Sequence, residues 1–366
     1  MKKNFKVLIC PLEWGIGHAT RCVPVIREFL AQDFEVVIAA DNLPLRFLQE
    51  AFPELQTIRF SGYPVRYSSG KGMVRKMLLS IPRIVNGIRK EHRELKRIIK
   101  EYGIDLVVSD NRFGLWTDQV PCIYLTHQVM IKAPGNMKWA EPVLYWIHRW
   151  IIRRYDQCWI PDLPGKPNLS GDLSHRMPLP ENCSYIGPLS RFQHMDTEAA
   201  GNHNRQKHFS YLFMLSGPEP QRSLLEEKIL KELATHPAES VILRGLPGNA
   251  DIPAVPSCVK IFNHLRDEQI VKYLKEAEMV ISRPGYSTVM DMVALNRKAH
   301  FIPTPGQTEQ EYLAGYLNDC GYFGFTRQDE FSLDKTGISS SAFHPPEGLF
   351  NLPLLRQQIV NLKSTL

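Results

Sequence analysis

The sequence predicts an α/β fold with two doubly wound parallel sheets, one in each half of the chain. Two observations lead to this prediction. With 366 residues, of which 43% are hydrophobic, the chain is long enough for two domains with separate cores. Short apolar β-type segments alternate with amphipathic helical patterns in both halves. Because strands buried on both faces and separated by helices are typical of parallel sheets, this alternation favours the doubly wound class.

The alternation defines the expected elements of each half. In the first half we predict strands at 6–10, 34–40, 57–60, 105–109 and 122–126, and helices at 19–31, 43–51 and 88–102. In the second half we predict strands at 211–215, 240–244, 259–262, 279–282 and 298–302, and helices at 223–235, 267–277, 287–295 and 309–320. The polar stretch 187–208 has little periodicity and is predicted to connect two domains.

Composition narrows the possible class of protein. No apolar run approaches the roughly 18 residues of a membrane span. The seven cysteines include no Cys-x-x-Cys pair, which favours reduced thiols in a cytoplasm over a zinc site. We therefore expect a cytoplasmic protein with neither a bound metal nor another cofactor.

The charge is unevenly distributed. Residues 1–190 carry 26 Lys and Arg against 18 Asp and Glu, whereas residues 191–366 carry 18 against 20. This asymmetry suggests that the first half faces an anionic partner. Base-stacking motifs and zinc modules are lacking, so we predict no nucleic-acid partner and consider a membrane surface instead.

Two segments could lie on an anionic membrane. Residues 66–100 contain 11 Lys and Arg and only 2 Glu, with apolar residues at helical spacing. The second segment is an aromatic and basic group: Trp139, Tyr145, Trp146, Trp150, Trp159, Arg149, Arg153 and Arg154. In both cases a core-packed helix with a solvated basic side is an equally good interpretation.

A glycine turn follows the first predicted strand. Gly15 and Gly17 allow the backbone to approach a ligand closely, and His18 comes directly after them. The third glycine of the dinucleotide fingerprint is missing, which disfavours a dehydrogenase. An imidazole at the carboxyl end of a strand can act as a general base near neutral pH. The alternative for His18 is a helix-start residue bonded to backbone.

Two further histidine and carboxylate candidates follow later strands. His127 comes after the predicted strand 122–126, and Asp110 comes after 105–109. Both are expected at the strand ends where ligands of open sheets bind, so they compete with His18 for the role of base. Capping of a following element is the alternative for Asp110.

The second half contains two anion-competent turns. Ser216 and Gly217 follow one strand and precede Arg222, while a second strand ends in Arg283-Pro284-Gly285 and is followed by the hydroxyls of Ser287 and Thr288. Free N–H groups at a helix start, hydroxyls and a nearby arginine together favour a diphosphate. An ordinary capped helix is the alternative.

These segments resemble the GT-B glycosyltransferases, and most closely the MurG-type N-acetylglucosaminyltransferases of peptidoglycan synthesis. They are also similar to bacterial lipopolysaccharide N-acetylglucosamine transferases. The resemblance is strongest at Glu13 to Arg21 and from Val259 to about Gly324, including the run Arg283-x-Gly285-x-x-Thr288-x-x-Asp291-x-x-Ala294-Leu295 and the segment 303–310.

The resemblance implies two Rossmann-like domains that face each other across a cleft. Residues 1–190 would bind the acceptor and residues 208–345 the nucleotide sugar. Residues 191–207 would link the two domains, and 346–366 would form a C-terminal helix that packs back on the first.

The resemblance also assigns donor contacts. Ser287 and Thr288 would lie near the diphosphate, Asp291 at the ribose hydroxyls where the family usually has Glu, and main chain around His264 and Leu265 at the uracil edge. Residues of the 307–310 segment would meet the donor sugar. The full set is Gly15, Gly17, Ser216, Gly217, Arg222, His264, Leu265, Arg283, Gly285, Ser287, Thr288, Asp291, Gln307, Glu309 and Gln310.

We therefore expect an inverting, metal-independent transferase that moves a hexose, such as N-acetylglucosamine, from a UDP-sugar to a cell-envelope glycan or lipid-linked acceptor. His18, with His127 and Asp110 as rivals, would take the acceptor proton, and Arg222 or Arg283 would help to stabilise the departing diphosphate. The enzyme would work in the cytoplasm or on the inner face of the membrane. A UDP-sugar hydrolase and a non-catalytic nucleotide-sugar-binding protein are the alternatives.

Overall fold

Two parallel β-sheets form the framework of the chain, one in each half. The structure is a computed structural model that describes residues 4–62, 73–195, 209–246, 248, 250–337, 344–350 and 353–366, apart from the side chains of 73–81 and 136. The chain divides into two units, Met1–Arg191 with Asn351–Leu366, and Phe192–Phe350. We call them the first and the second unit.

The first unit contains a seven-stranded sheet in the order β3-β2-β1-β4-β5-β6-β7, with all neighbours parallel. Its elements in chain order are β1 (Lys6–Pro11), α1 (Gly17–Ala31), β2 (Glu35–Ala40), α2 (Asn42–Ala51), β3 (Gln56–Arg59), α3 (Met73–Tyr102), β4 (Leu106–Asp110), β5 (Cys122–Leu125), a 3-10 turn (Gly135–Ala140), α4 (Glu141–Ile152), β6 (Gln157–Ile160), α5 (Asp172–His175) and β7 (Cys183–Tyr185).

The second unit contains a six-stranded parallel sheet in the order β10-β9-β8-β11-β12-β13. Its elements are β8 (Phe209–Met214), α6 (Gln221–Thr235), β9 (Ser240–Leu243), β10 (Val259–Phe262), α7 (Asp267–Glu276), β11 (Ala277–Ser282), α8 (Tyr286–Ala294), β12 (Ala299–Phe301), α9 (Thr308–Asp319), β13 (Gly324–Phe325) and a 3-10 turn (Leu333–Thr336).

The last helix, α10 (Leu354–Lys363), packs on the first unit. Its Arg356 donates to Glu28 of α1 over 3.0 Å, and Lys363 donates to the carbonyl of Gln32. Ile359 and Leu362 are buried.

The central strands are apolar on both faces because helices cover both sides of each sheet. In β1, for example, Val7, Leu8 and Ile9 are fully buried, and Leu8 lies in register with Val37 of β2 and Val107 of β4. The predicted doubly wound α/β class is confirmed in both units.

Most element predictions are confirmed within a few residues, and the exceptions have physical reasons. The helix predicted at 88–102 is the C-terminal half of α3, which begins at Met73. The pattern did not reveal α4, because its sequence is apolar on several faces and lacks a helical polar stripe. The short strands β6, β7 and β13 were also missed.

Two predictions fall partly outside the described residues. In the predicted linker 191–207, residues 196–207 are not described. In the basic stretch 66–100, neither residues 66–72 nor the side chains of 73–81 are described.

Candidate active site

Four polar side chains meet at the carboxyl edge of the first sheet. Asp110 ends β4, His127 follows β5, and His18 and Arg21 lie in the first turns of α1. The strand register explains why they meet, because Asp110 is paired with Pro11 of β1 on one side and with Leu125 of β5 on the other. We call His18, Arg21, Asp110 and His127 the Asp110 cluster.

Asp110 is at the centre of this cluster. Its two carboxylate oxygens both lie 3.2 Å from Nδ1 of His18. Arg21 donates from Nε to Oδ2 over 2.9 Å and from Nη2 to Oδ1. Burial by itself raises the pKa of Asp110, but the charges of Arg21 and His18 outweigh it and lower the pKa to about 2. The carboxylate is therefore ionised at any physiological pH.

Arg21 ties the two histidines to this carboxylate. It donates from Nη1 to Nδ1 of His127 over 2.8 Å, and its Nη2 lies 2.9 Å from Nδ1 of His18. Asp110 is 0% exposed and the His18 side chain is 16% exposed, with His127 also buried. His18 is consequently the member of the cluster that a substrate reaches most easily.

The protonation of His18 decides what its ring can do. Nδ1 either accepts from Arg21 or carries a proton that it donates to Asp110. In the second tautomer, Nε2 has a lone pair that can accept a proton. Within the described residues, Nε2 forms no hydrogen bond to protein.

The glycine turn before α1 is held by Glu13. Gly15 has a φ of 81°, which favours glycine, and its N–H donates to the carbonyl of Glu13 over 2.9 Å. The Glu13 carboxylate accepts from Asn42 over 2.5 Å and from the N–H of Gly62 over 2.9 Å. Glu13 therefore joins the loops after β1, β2 and β3, a role that the sequence did not reveal.

Three loops of the second unit lie side by side, because β8, β11 and β12 are adjacent strands. Ser216 and Gly217 follow β8, the Arg283 to Gly285 turn follows β11, and residues 303–310 follow β12. The structure thus brings most of the predicted donor residues to one edge of the second sheet. The predicted base-reading residues His264 and Leu265 follow β10 at the end of that sheet, two strands from β8.

Helix α8 has a glycine, Gly285, at its N-cap. Glycine has no side chain, so the N-cap residue makes no side-chain hydrogen bond to the first turn, which contains Ser287 and Thr288. Gly285 before it has ordinary angles (φ −66°, ψ 138°), and an added Cβ would meet Thr288 Oγ1 at 3.8 Å. Neither the backbone angles nor the neighbouring atoms therefore require glycine at 285. The small size of this glycine leaves room for a ligand near the positive end of the helix dipole. Asp291 lies buried in the second turn of α8.

A buried hydroxyl lies beside these turns. Thr304 is 1% exposed, and none of the described residues forms a hydrogen bond with its Oγ1. Gly217 is adjacent, since a Cβ at that position would lie 3.4 Å from Oγ1, and its φ of 105° also favours glycine. A buried hydroxyl without a partner is unfavourable, so Thr304 is suited to meet a bound group. The sequence did not single out this residue.

The two arginines expected at the diphosphate have other partners. Arg283 is buried and donates to the carbonyls of Ile302, Pro303 and Gln221 over 2.9–3.1 Å, and to Gln328 over 2.6 Å. Burial lowers its pKa to about 10, so it stays charged at neutral pH.

Arg222 donates to Glu219 over 2.5 Å and to Glu226 over 2.7 Å, and Glu226 in turn accepts from Arg244 over 2.9 Å. Both guanidinium groups therefore hold loops of the second unit together. This differs from the expected direct contact with a diphosphate, because a fully buried cation needs protein acceptors of its own.

The segment after β12 is ordered by its own side chains. Gln310 accepts from the N–H of Thr304 over 2.9 Å, and Glu311 accepts from the N–H of Gly306 over 2.9 Å. Gln307 and Glu309 are half-buried in the same segment. In the described part of the chain, no group of three His, Cys, Asp or Glu side chains has the arrangement of a metal site.

Two family profiles match the chain. Residues 259–336 match the glycosyltransferase family 28 C-terminal domain, and residues 6–132 match glycosyl transferase family 1. Among curated proteins, an uncharacterized glycosyltransferase of Methanosarcina acetivorans is 25% identical over 339 residues, which cover 87% of this chain and 82% of the relative.

Solved structures share the fold at low identity. The spinosyn rhamnosyltransferase SpnG, complexed with thymidine diphosphate, has a TM-score of 0.65 at 14% identity and covers 98% of this chain and 100% of its own. The MurG of Acinetobacter baumannii has a TM-score of 0.57 at 13% identity, with full coverage of both chains. With the two family matches and the curated relative, these similarities identify the chain as a glycosyltransferase of the GT-B type.

Proposed function

We propose that the protein is an inverting, metal-independent glycosyltransferase that uses a UDP-sugar and in which His18 is the general base. The first unit would bind the acceptor and the second unit the donor. The observation that carries the proposal is the pairing of His18 with a buried, ionised carboxylate, while Nε2 forms no hydrogen bond to any residue that the structure describes. This arrangement suits an imidazole that acts as a base, because the carboxylate stabilises the positive charge that the ring gains with the proton.

The proton transfer needs the tautomer in which Nδ1–H donates to Asp110. Nε2 then accepts the proton of the acceptor hydroxyl while that oxygen attacks the anomeric carbon of the donor sugar. The bond between this carbon and the diphosphate oxygen breaks, and UDP leaves with the electron pair. Attack opposite to the leaving group inverts the anomeric configuration. Asp110 stabilises the imidazolium, and Arg21 keeps Asp110 deprotonated and oriented.

The negative charge of the departing diphosphate would be met by dipoles of the second unit. The N-terminus of α8 with Gly285 at its N-cap, the hydroxyls of Ser287 and Thr288, and the Gly217 turn lie at the same edge of the sheet. Such preorganised donors stabilise developing charge without a metal ion. Arg283 acts as a positioning residue here, since it fixes the loops that carry these groups.

The remaining donor contacts would follow the resemblance. Asp291 would bind the ribose, main chain around His264 and Leu265 the uracil, and Gln307 and Gln310 the sugar hydroxyls. We propose a hexose such as N-acetylglucosamine as the transferred sugar. The acceptor would be a cell-envelope or lipid-linked glycan, used in the cytoplasm or at the inner face of the membrane.

A thermal-shift panel tests the donor class. We expect UDP and UDP-sugars to raise the melting temperature more than ADP, GDP, thymidine diphosphate or NAD, because a ligand of the folded state alone stabilises it. If thymidine diphosphate raises the melting temperature and UDP does not, the donor carries thymidine diphosphate instead of the proposed UDP. Exposed His236 provides a matched variant, since His236→Ala should leave the nucleotide shifts unchanged.

A UDP-sugar hydrolase is the second candidate. The Asp110 cluster could activate water in place of an acceptor hydroxyl, because the proton acceptor would be the same Nε2. Release of UDP at the same rate with and without acceptor glycans, and lost in His18→Ala, would favour the hydrolase. If neither the wild type nor His18→Ala turns over a UDP-sugar while both still bind UDP, the protein would be a non-catalytic nucleotide-sugar binder.

A further inference from the structure

Helix α4 is apolar on two opposite faces, but only one of them packs against the protein. The inner face buries Tyr145, His148 and Ile152 in the core of the first unit. The outer face is continued by the preceding 3-10 turn and recurs at helical spacing: Trp139, Val143, Trp146, Ile147 and Trp150. The three tryptophans on it are 59–74% exposed. We call these five residues the tryptophan face.

This finding divides the aromatic group seen in the sequence. Tyr145 is buried and donates to the carbonyl of Pro178 over 2.5 Å. Trp159 is buried in β6 and stacks on Phe29. Both belong to the core, whereas Trp139, Trp146 and Trp150 do not. A large contiguous exposed apolar surface is unusual for a protein surface in water and indicates an interaction site.

Cations surround the tryptophan face. Arg149 lies over the ring of Trp146 at 5.3 Å, and Arg154 lies over Trp150 at 3.8 Å. Lys138 and Arg153 are exposed at its two ends. The one carboxylate between residues 138 and 154, Glu141, is buried and paired with Arg176. The exposed charges of residues 138–154 are therefore all positive.

We infer that the tryptophan face docks the protein on an anionic lipid bilayer, with α4 lying in the plane of the headgroups. Tryptophan favours the boundary between lipid tails and water, and arginine or lysine beside it can reach the phosphates. A second copy of the chain fits less well, because a symmetric contact would bring the cations of both copies together.

The length of α4 agrees with this orientation. Its 12 residues span about 18 Å, well short of the roughly 30 Å of a hydrocarbon core. In the described ranges, no helix is both long and apolar enough to cross a bilayer. The inference stands independently of the proposed reaction, because it concerns binding to lipid and no step of catalysis.

Co-sedimentation with vesicles tests the inference on the full chain. We expect binding to vesicles of phosphatidylglycerol mixed with phosphatidylcholine, and much weaker binding to phosphatidylcholine alone. The double substitution Trp146→Ala and Trp150→Ala should lower the partition coefficient at least about tenfold, because the bound apolar area is lost. Lys138→Gln and Arg153→Gln should each lower it up to about fivefold at low salt.

Control experiments distinguish a loss of lipid binding from unfolding, and distinguish lipid from other partners of the tryptophan face. Leu224→Ala and Ile252→Ala remove exposed apolar side chains of the second unit and should leave partitioning unchanged. The tryptophan variant should keep its melting temperature and its UDP-induced shift. Equal sedimentation of the wild type and the tryptophan variant would overturn the inference. A second outcome would also overturn it. In that outcome the wild type does not bind vesicles, and sedimentation velocity shows a dimer that the tryptophan substitutions dissociate.

Discussion

The two sheets have the same parallel architecture, yet their carboxyl edges carry different chemistry. In the first unit, the edge gathers arginine and histidine side chains around the carboxylate of Asp110, which is fully buried between Arg21 and His18. In the second unit, the corresponding edge presents the N-terminus of α8 and the hydroxyl of Thr304, while the buried guanidinium group of Arg283 donates to protein carbonyls.

One architecture can thereby serve two tasks. Moving a proton requires a group that can accept and release one, and the first edge provides His18 beside the carboxylate of Asp110. Holding an anion requires fixed dipoles that need not titrate, and the second edge supplies them through backbone and hydroxyl groups. Substitutions should therefore affect turnover mainly in the first unit and nucleotide affinity mainly in the second.

The largest expected effect tests the first edge. His18→Ala should lower the rate of sugar transfer about 100- to 10,000-fold, the usual contribution of a general base, while the UDP-induced melting shift persists. Asp110→Asn should also lower the rate, because the neutral amide no longer stabilises an imidazolium. Transfer would be followed by UDP release, with His236→Ala as the surface control. A fully active His18→Ala protein would contradict the proposed role.

The next effect concerns Arg283 and distinguishes a structural role from direct phosphate binding. Arg283→Met leaves several buried acceptors without a donor, so we expect the free energy of unfolding to fall by about 4 kcal/mol. The exposed Arg327 on the neighbouring segment offers a matched control, and Arg327→Met should change stability little. Denaturant unfolding without nucleotide measures both. Unchanged stability combined with lost UDP binding would instead place Arg283 at the diphosphate.

In each unit, a buried histidine has a pKa far below its ordinary value and should respond to acid. Burial lowers the pKa of His148 in the first unit and of His300 in the second from 6.5 to about 4. Between these values the unfolded chain binds a proton that the folded chain does not, so stability falls as the pH drops from about 6.5 to 4. Each histidine should contribute about 3 kcal/mol to this loss.

Unfolding measured across this pH range checks the effect. His300→Gln should make the free energy of unfolding of the second unit depend less on pH, whereas His236→Gln, at an exposed position, should not. A stability profile that stays level down to pH 4 in the wild type would contradict the burial of both imidazoles.

The sequence predicted which strands carry the candidate base, but not how the side chains combine. His18, Asp110 and His127 were recognised because each follows a strand, and parallel strands end at the same edge. They were interpreted as rivals because Arg21, which joins them, was overlooked. The spacing of Arg21 three residues after His18 puts both on one helix face and could have suggested the link.

Burial was harder to predict than position. Arg283 was interpreted from its neighbour Gly285, but its partners Gln221 and Gln328 lie 62 and 45 residues away in the chain. No local pattern indicates such contacts. The same limit applies to α4, where the sequence shows tryptophans and arginines but the packing alone decides that Trp146 faces water and Tyr145 does not.

The smallest expected effect is the sharpest test of the second edge. Thr304→Val keeps the shape of the side chain and removes a buried hydroxyl that has no hydrogen bond among the described residues. We expect the free energy of unfolding without nucleotide to stay constant or rise, because no hydrogen bond to a described residue is lost. We expect UDP affinity to fall about tenfold, because the hydrogen bond between the hydroxyl and the ligand is lost. Calorimetric titration with UDP and unfolding without it measure the two effects separately.

Thr326→Val is the matched comparison, since Thr326 Oγ1 lies 3.0 Å from Nε2 of His300. That substitution should lower stability and leave UDP affinity unchanged, the opposite of the result expected for Thr304→Val. If both variants lose stability and neither loses affinity, the second edge does not use Thr304. The contrast between the two sheet edges would then rest on the N-terminus of α8 alone.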